Sequence, residues 1–154
     1  MGFNVVLIEP EIPMNTGNIG RLCLASGSRL HLVKPFGFEI DDSRLKRAGL
    51  DYWKHIDVKF YDDIASFFEI NKGEKMAFFS SHADKEYWNL DFEEGIFLVF
   101  GKESVGLSKE LLEENKDSLY KIPLFSDKIR SLNLANSVGI AVYEGIRKQY
   151  IQAV

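Results

Sequence analysis

Apolar residues fall along this chain in short unbroken runs that alternate with stretches of helical spacing. Residues 3–8 (FNVVLI) form a β-branched block of the kind buried on both faces in a parallel sheet. Residues 30–33, 58–61, 76–80 (MAFFS), 96–100 (IFLVF) and 120–122 predict five more strands. Pro10 and Pro13 argue against regular structure as far as Met14, so Asn15 or Thr16 is expected to cap a helix carrying Ile19, Leu22, Cys23 and Ala25. Gly27 ends it. Asp41 or Ser43 is expected to cap a short basic helix over 44–48, and Asp62 or Asp63 one that runs to Glu69. A further helix covers 108–115. The last starts near Asn133, where Ser131, Asn133 and Asn136 are all potential caps, and Leu134, Val138, Ala141, Val142 and Ile146 keep one face apolar to about Tyr150. Strand alternating with helix predicts one three-layer α/β domain over residues 1–154, built on a mostly parallel sheet.

Composition narrows this only slightly. A chain of 154 residues that is 45% hydrophobic can bury a substantial core. No apolar run is long enough to cross a bilayer, and the N-terminus lacks a basic block followed by an apolar stretch and a cleavage site, so a cytosolic protein is expected. The single cysteine, Cys23, rules out an internal disulfide and a cysteine-rich metal site. The formal net charge of −4 gives no global signature of nucleic-acid binding. Locally, Arg44, Lys46 and Arg47 cluster, with Arg21, Arg29, Lys34, Lys54, Lys128 and Arg130 available elsewhere. Solvated surface is the commoner fate of such charges.

Candidate chemistry is narrower than the fold. There is no GxGxxG, no GxxxxGK[ST] and no GxSxG, which disfavours a Rossmann dinucleotide site, a P-loop and a hydrolase nucleophile elbow. His31, His55 and His82 stand apart without ligand spacing, so no metal is expected. Three polar islands remain, each following an apolar strand: Asn15, Gly17, Asn18 and Arg21; residues 100–107 (FGKESVGL); and Arg130, Ser131 and Asn133. Each alone has a structural excuse, since asparagines cap helices and glycines bend chains. Open α/β sheets bind ligands at the carboxyl ends of their strands, so three islands there point to a site.

These islands resemble, in order and spacing, the three signature motifs of the SpoU-type SPOUT RNA 2′-O-methyltransferases. The residues are Asn15-x-Gly17-Asn18-Ile19-x-Arg21, then Phe100-Gly101-x-Glu103-x-x-Gly106-Leu107, then Ile122-Pro123 followed by residues 130–138 (RSLNLANSV). Within that superfamily, residues 8–23 (IEPEIPMNTGNIGRLC) and 44–53 (RLKRAGLDYW) are similar to the minimal tRNA methyltransferases that modify a wobble cytidine or uridine. The resemblance implies a deep trefoil knot in the C-terminal half and S-adenosylmethionine bound by the knot loops. Position by position, the implied cofactor pocket comprises Phe79, Gly101, Leu107, Ile122, Ser131 and Leu132. Lys102 stands where many members of the superfamily have proline or a small residue, and Phe79 replaces a more usual aliphatic.

The resemblance assigns activation of the 2′-hydroxyl to Arg21, with Asn15, Glu103, Ser131 and Asn133 orienting ribose, loops or cofactor. A guanidinium is a poor general base, so gripping the adjacent phosphate and stabilising the developing alkoxide fits Arg21 better. It also implies a homodimer that binds the tRNA anticodon stem-loop across both subunits, for which Arg44, Lys46, Arg47, Lys128 and Arg130 are the candidate contacts. Two other readings remain open at this stage: a methyltransferase of the same fold acting on rRNA or another tRNA position, and a non-catalytic RNA- or cofactor-binding protein.

Overall fold

The first apolar run becomes β1 (Asn4–Ile8), and its alternation divides the protein into layers. A computed structural model describes residues 2–40, 43, 47 and 52–154. The other strands are β2 (Arg29–Val33), β3 (Val58–Tyr61), β4 (Met76–Phe79), β5 (Phe97–Phe100) and β6 (Leu119–Tyr120). They form one sheet in the order β3-β2-β1-β5-β4-β6, and every strand pairing is parallel. Around it lie α1 (Pro13–Ser26), α2 (Ile64–Ile70), α3 (Lys109–Glu114) and α4 (Leu134–Ala153). Ser43 and Arg47 are helical; the rest of the expected basic helix, Arg44 and Lys46 included, lies outside the described residues.

Val5, Leu7, Leu30, Leu32, Leu98 and Phe100 pack one sheet face against Ile19 and Cys23 of α1 and Val138, Ala141 and Val142 of α4. Val6, Ile8, Val33, Phe78 and Val99 pack the other against Phe67 of α2 and Leu111 of α3. Helix, sheet, helix is the expected three-layer arrangement.

Local chemistry corrects some boundaries. Helix α1 begins at Pro13 rather than after it, because proline at the first helical position has a pre-set φ and lacks only an N–H that would have no intrahelical partner. Its cap is Ile12, without a side-chain bond, so neither Asn15 nor Thr16 caps: both are buried one turn inside. Gly27 ends α1 at φ 68°, as expected. Asp63 and Ser66 make a reciprocal capping box on α2, and Ser108 caps α3. Of the three candidate caps for the last helix, Asn133 does the work, its side chain accepting the Asn136 amide at 3.2 Å. Strand β6 stops at Tyr120, and Lys121 instead exchanges backbone bonds with Lys85 and Tyr87 across an isolated bridge at Glu86.

His31 has a packing role. Its Nε2 lies 2.8 Å from the Asn4 Oδ1, an acceptor, so Nε2 carries the proton and Nδ1 accepts the Tyr61 hydroxyl at 2.8 Å. Tyr61 in turn accepts from Asn71 Nδ2 at 3.2 Å. Burial, with the Arg29 and Lys59 charges adding to it, pushes the imidazole down to about 4 from its usual 6.5. Between those values the unfolded chain binds a proton that the folded one does not. Stability therefore falls as pH drops from 6.5 towards 4, by roughly 2 kcal/mol. Chemical denaturation of wild type and His31→Gln across this range checks it: the variant starts less stable but loses less on acidification.

Candidate functional site

The carboxyl ends of β4, β5 and β6 open onto a cavity of about 480 Å³. Phe79 and Phe100, neighbours on β4 and β5, stack at 4.7 Å and 14° on its inner side, with Leu107, Ile122 and Leu132 continuing the apolar wall. Ser80, His82, Ser104, Ser131 and Ser137 bring polar groups to the same space. Such a cavity, apolar with a few convergent polar groups, is of the size that holds a small organic ligand, about 300–1,000 Å³.

Gly101 sets the shape of one wall. A Cβ there would lie 2.1 Å from the Gly106 carbonyl carbon and 2.3 Å from the Leu107 nitrogen. The chain doubles back at this point, Gly106 donating its N–H to the Lys102 carbonyl at 2.8 Å with its own φ at +70°. Only glycine permits so close an approach.

The three polar islands meet beside the cavity through one carboxylate. Glu103 accepts the Glu11 amide on one oxygen and the Ile12 amide on the other, both at 2.8 Å, and Asn15 Nδ2 at 3.2 Å. It thereby satisfies donors at the start of α1, which has no side-chain cap of its own. Asn15 Oδ1 then accepts from Asn133 Nδ2 at 3.1 Å, while the Asn133 oxygen caps α4. In return Glu11 accepts the Ser104 amide at 2.8 Å, and that bond, with the Ser104 side chain and the Lys102 charge, holds the Glu11 carboxyl below the usual carboxylate range. Glu9, in the left-handed region at φ 52°, pairs with Lys102 at 3.3 Å. The loop after β1, the loop after β5 and the start of α4 are thus one hydrogen-bonded unit.

All of Phe79, Gly101, Leu107, Ile122, Ser131 and Leu132 line the cavity, as do Glu103 and Arg130. Asn15 and Asn133 join it through the chain of bonds to Glu103. Arg21 stands apart: it is exposed on α1, outside the cavity lining, with its guanidinium 4.8 Å from the centre of the Tyr52 ring. Arg47 and Lys128 are exposed and do not line the cavity. Sequence reasoning missed Glu9 and Glu11 as partners of Lys102 and Ser104, and His82 in the lining. Two acidic residues on either side of Pro10, just after β1, were the available signal. Among the described residues no cluster of histidine, cysteine and carboxylates could hold a metal ion, and no helix is long and apolar enough to cross a membrane.

Glu103 is expected to be worth more to stability than an exposed carboxylate. Glu103→Ala leaves the Glu11 and Ile12 amides without their acceptor and should lower the unfolding free energy by about 1–3 kcal/mol, read by chemical denaturation.

A tRNA (cytidine(34)-2′-O)-methyltransferase from Saccharophagus degradans is 44% identical over 147 residues, covering 95% of each chain. A structure solved in work on 2′-OH methylation of C/U34 on tRNA superposes with a TM-score of 0.91, at 42% identity and 97% coverage of both chains. The rRNA methyltransferase of Sinorhizobium meliloti, solved with AdoMet bound, shares the fold at a TM-score of 0.85 and 24% identity, over 96% of this chain and 56% of that one. Residues 2–143 match the SpoU rRNA Methylase family, and with three motif segments joined around one cavity the chain belongs to that family.

Proposed function

We propose that this chain is an S-adenosylmethionine-dependent tRNA 2′-O-methyltransferase, acting on the ribose of the wobble nucleotide, cytidine or uridine at position 34. The observation that carries this reading is the cavity at the ends of β4, β5 and β6, joined through Glu103 to Asn15 and Asn133. The relative from Saccharophagus degradans and the superposed structure support the nucleotide and the position.

The residues present fit the donor. Stacked Phe79 and Phe100, with Leu107, Ile122 and Leu132, offer an adenine an apolar slot, and Gly101 lets backbone groups approach its edge. When bound, S-adenosylmethionine supplies a methyl group activated by a sulfonium, without need of a metal. The ribose 2′-oxygen must attack in line and release its proton. Ser131, which lines the cavity, would orient ribose or donor. Glu103, Asn15 and Asn133 are bonded to one another and to the backbone of Glu11, Ile12 and Asn136, so their part is to hold the loops in register. Arg21, exposed and outside the lining, is assigned to the substrate phosphate and the developing alkoxide.

The same reading gives residues 1–154 as a single methyltransferase domain, cytoplasmic and homodimeric, with a deep trefoil knot in its C-terminal half. What supports the knot is the family resemblance of the three motif segments, within residues 2–143. RNA is held by Arg130 and Lys128, with Arg47, Arg44 and Lys46 as further candidate contacts. Mass spectrometry of nucleosides from unmodified tRNA, before and after incubation with protein and S-adenosylmethionine, tests the function. Appearance of 2′-O-methylcytidine or 2′-O-methyluridine at position 34 supports it; methylation of rRNA alone, or none, overturns it.

A further inference from the structure

Residues 121–133 run from β6 to α4 with no helix or strand, and they border the cavity through Ile122, Leu124, Arg130, Ser131 and Leu132. Leu124 faces the cavity, but the next residue, Phe125, is 90% exposed, the most exposed aromatic ring among the described residues. It makes no contact with another ring among them. Ile129, four residues on, is half exposed, and Lys128 and Arg130 flank it. The segment carries Lys121, Lys128 and Arg130 against Asp127 alone, on a chain whose net charge is −4. An exposed aromatic ring on a segment that carries three cations and borders a cavity suits a ligand with both a π-face and negative charge. A single-stranded nucleic acid has both.

We infer that Phe125 is a base-stacking residue: it takes an unpaired base of the anticodon loop next to the nucleotide being methylated, while Lys128 and Arg130 meet the adjoining phosphates. This rests on the functional reading above and deepens it. Stacking by Phe125 would pull a neighbouring base out of the loop's own stack, helping to turn the target ribose towards the cavity. Because the ring does not line the cavity, the methyl donor is bound without it.

The test uses the full chain with an anticodon stem-loop RNA, comparing wild type with Phe125→Ala, Phe125→Leu and Phe125→Trp. Phe125→Ala and Phe125→Leu are expected to weaken RNA binding by about 5- to 100-fold, the range for loss of one base–aromatic stack, and Phe125→Trp to retain it. Affinity for S-adenosylhomocysteine, measured by calorimetry, should be unchanged in all three, which also shows that they are folded. A stem-loop with an abasic site beside the wobble nucleotide should bind wild type more weakly but Phe125→Ala no worse than the intact RNA does. Full RNA affinity in Phe125→Leu, or equal binding of intact and abasic RNA by wild type, overturns the stacking role. So does a fall in oligomeric mass on Phe125→Ala in sedimentation, which would give the ring to a second copy of the chain. If wild type methylates tRNA and Phe125→Ala matches it, only this inference fails; if wild type transfers no methyl group to tRNA, the functional reading fails and takes the inference with it.

Discussion

Gly101→Ala is expected to abolish binding of the methyl donor and, with it, turnover. The added Cβ would sit 2.1 Å from the Gly106 carbonyl carbon, 2.3 Å from the Leu107 nitrogen and 2.6 Å from the Gly106 oxygen. All three are backbone atoms, so no side chain can rotate away to make room. The 102–106 bridge must open, and it carries Lys102 and Glu103 with it. Through Glu103 the shift reaches the start of α1, and through Asn15 it reaches Asn133. Titration with S-adenosylhomocysteine should show a loss of affinity on the order of 100-fold or more, about 2.7 kcal/mol or above. Thermal unfolding should fall alongside it. Wild-type affinity in a folded variant would mean that the cavity beside Gly101 is not the donor site.

Arg21→Lys should do the reverse, leaving donor affinity within about twofold of wild type while turnover falls on the order of 100-fold, the loss typical when one transition-state donor is removed. The separation follows from position, since Arg21 is exposed on α1 and takes no part in lining the cavity. Lysine keeps the charge but loses the planar fork that grips a phosphate in two places, and it loses the guanidinium over the Tyr52 ring. Single-turnover methyl transfer, with donor binding measured in parallel, reads both quantities. Near-normal turnover would remove Arg21 from the chemistry.

Much of this molecule could be read from the chain because its strands are unbroken apolar runs, and a parallel sheet covered on both faces requires them. FNVVLI, IFLVF and MAFFS each became a strand within a residue or so of the expected ends. The cavity residues were legible by a different route, resemblance: nothing in periodicity places Phe79 beside Gly101 or Ile122. What stayed hidden were bonds between segments far apart in sequence. Asn15 looked like a cap because asparagine often is one, yet it lies inside α1 and bonds to Glu103, 88 residues away. Pro13 looked like a barrier and proved to be a start. The carboxylate that binds the amides leading into α1 comes from another loop, and no local window contains it.

The position of β1 has a consequence for how the chain comes into being. Its partner on one side, β2, follows within a few tens of residues, but on the other Asn4 pairs with Phe97 and Leu7 with Phe100. During synthesis this central strand therefore waits with one edge bare until most of the polypeptide has emerged, and α4, which helps to shield its face, comes later still. Such distant pairing makes for slow folding and a long interval of vulnerability to aggregation. Newly made protein should accordingly lean on chaperones well before it meets any RNA.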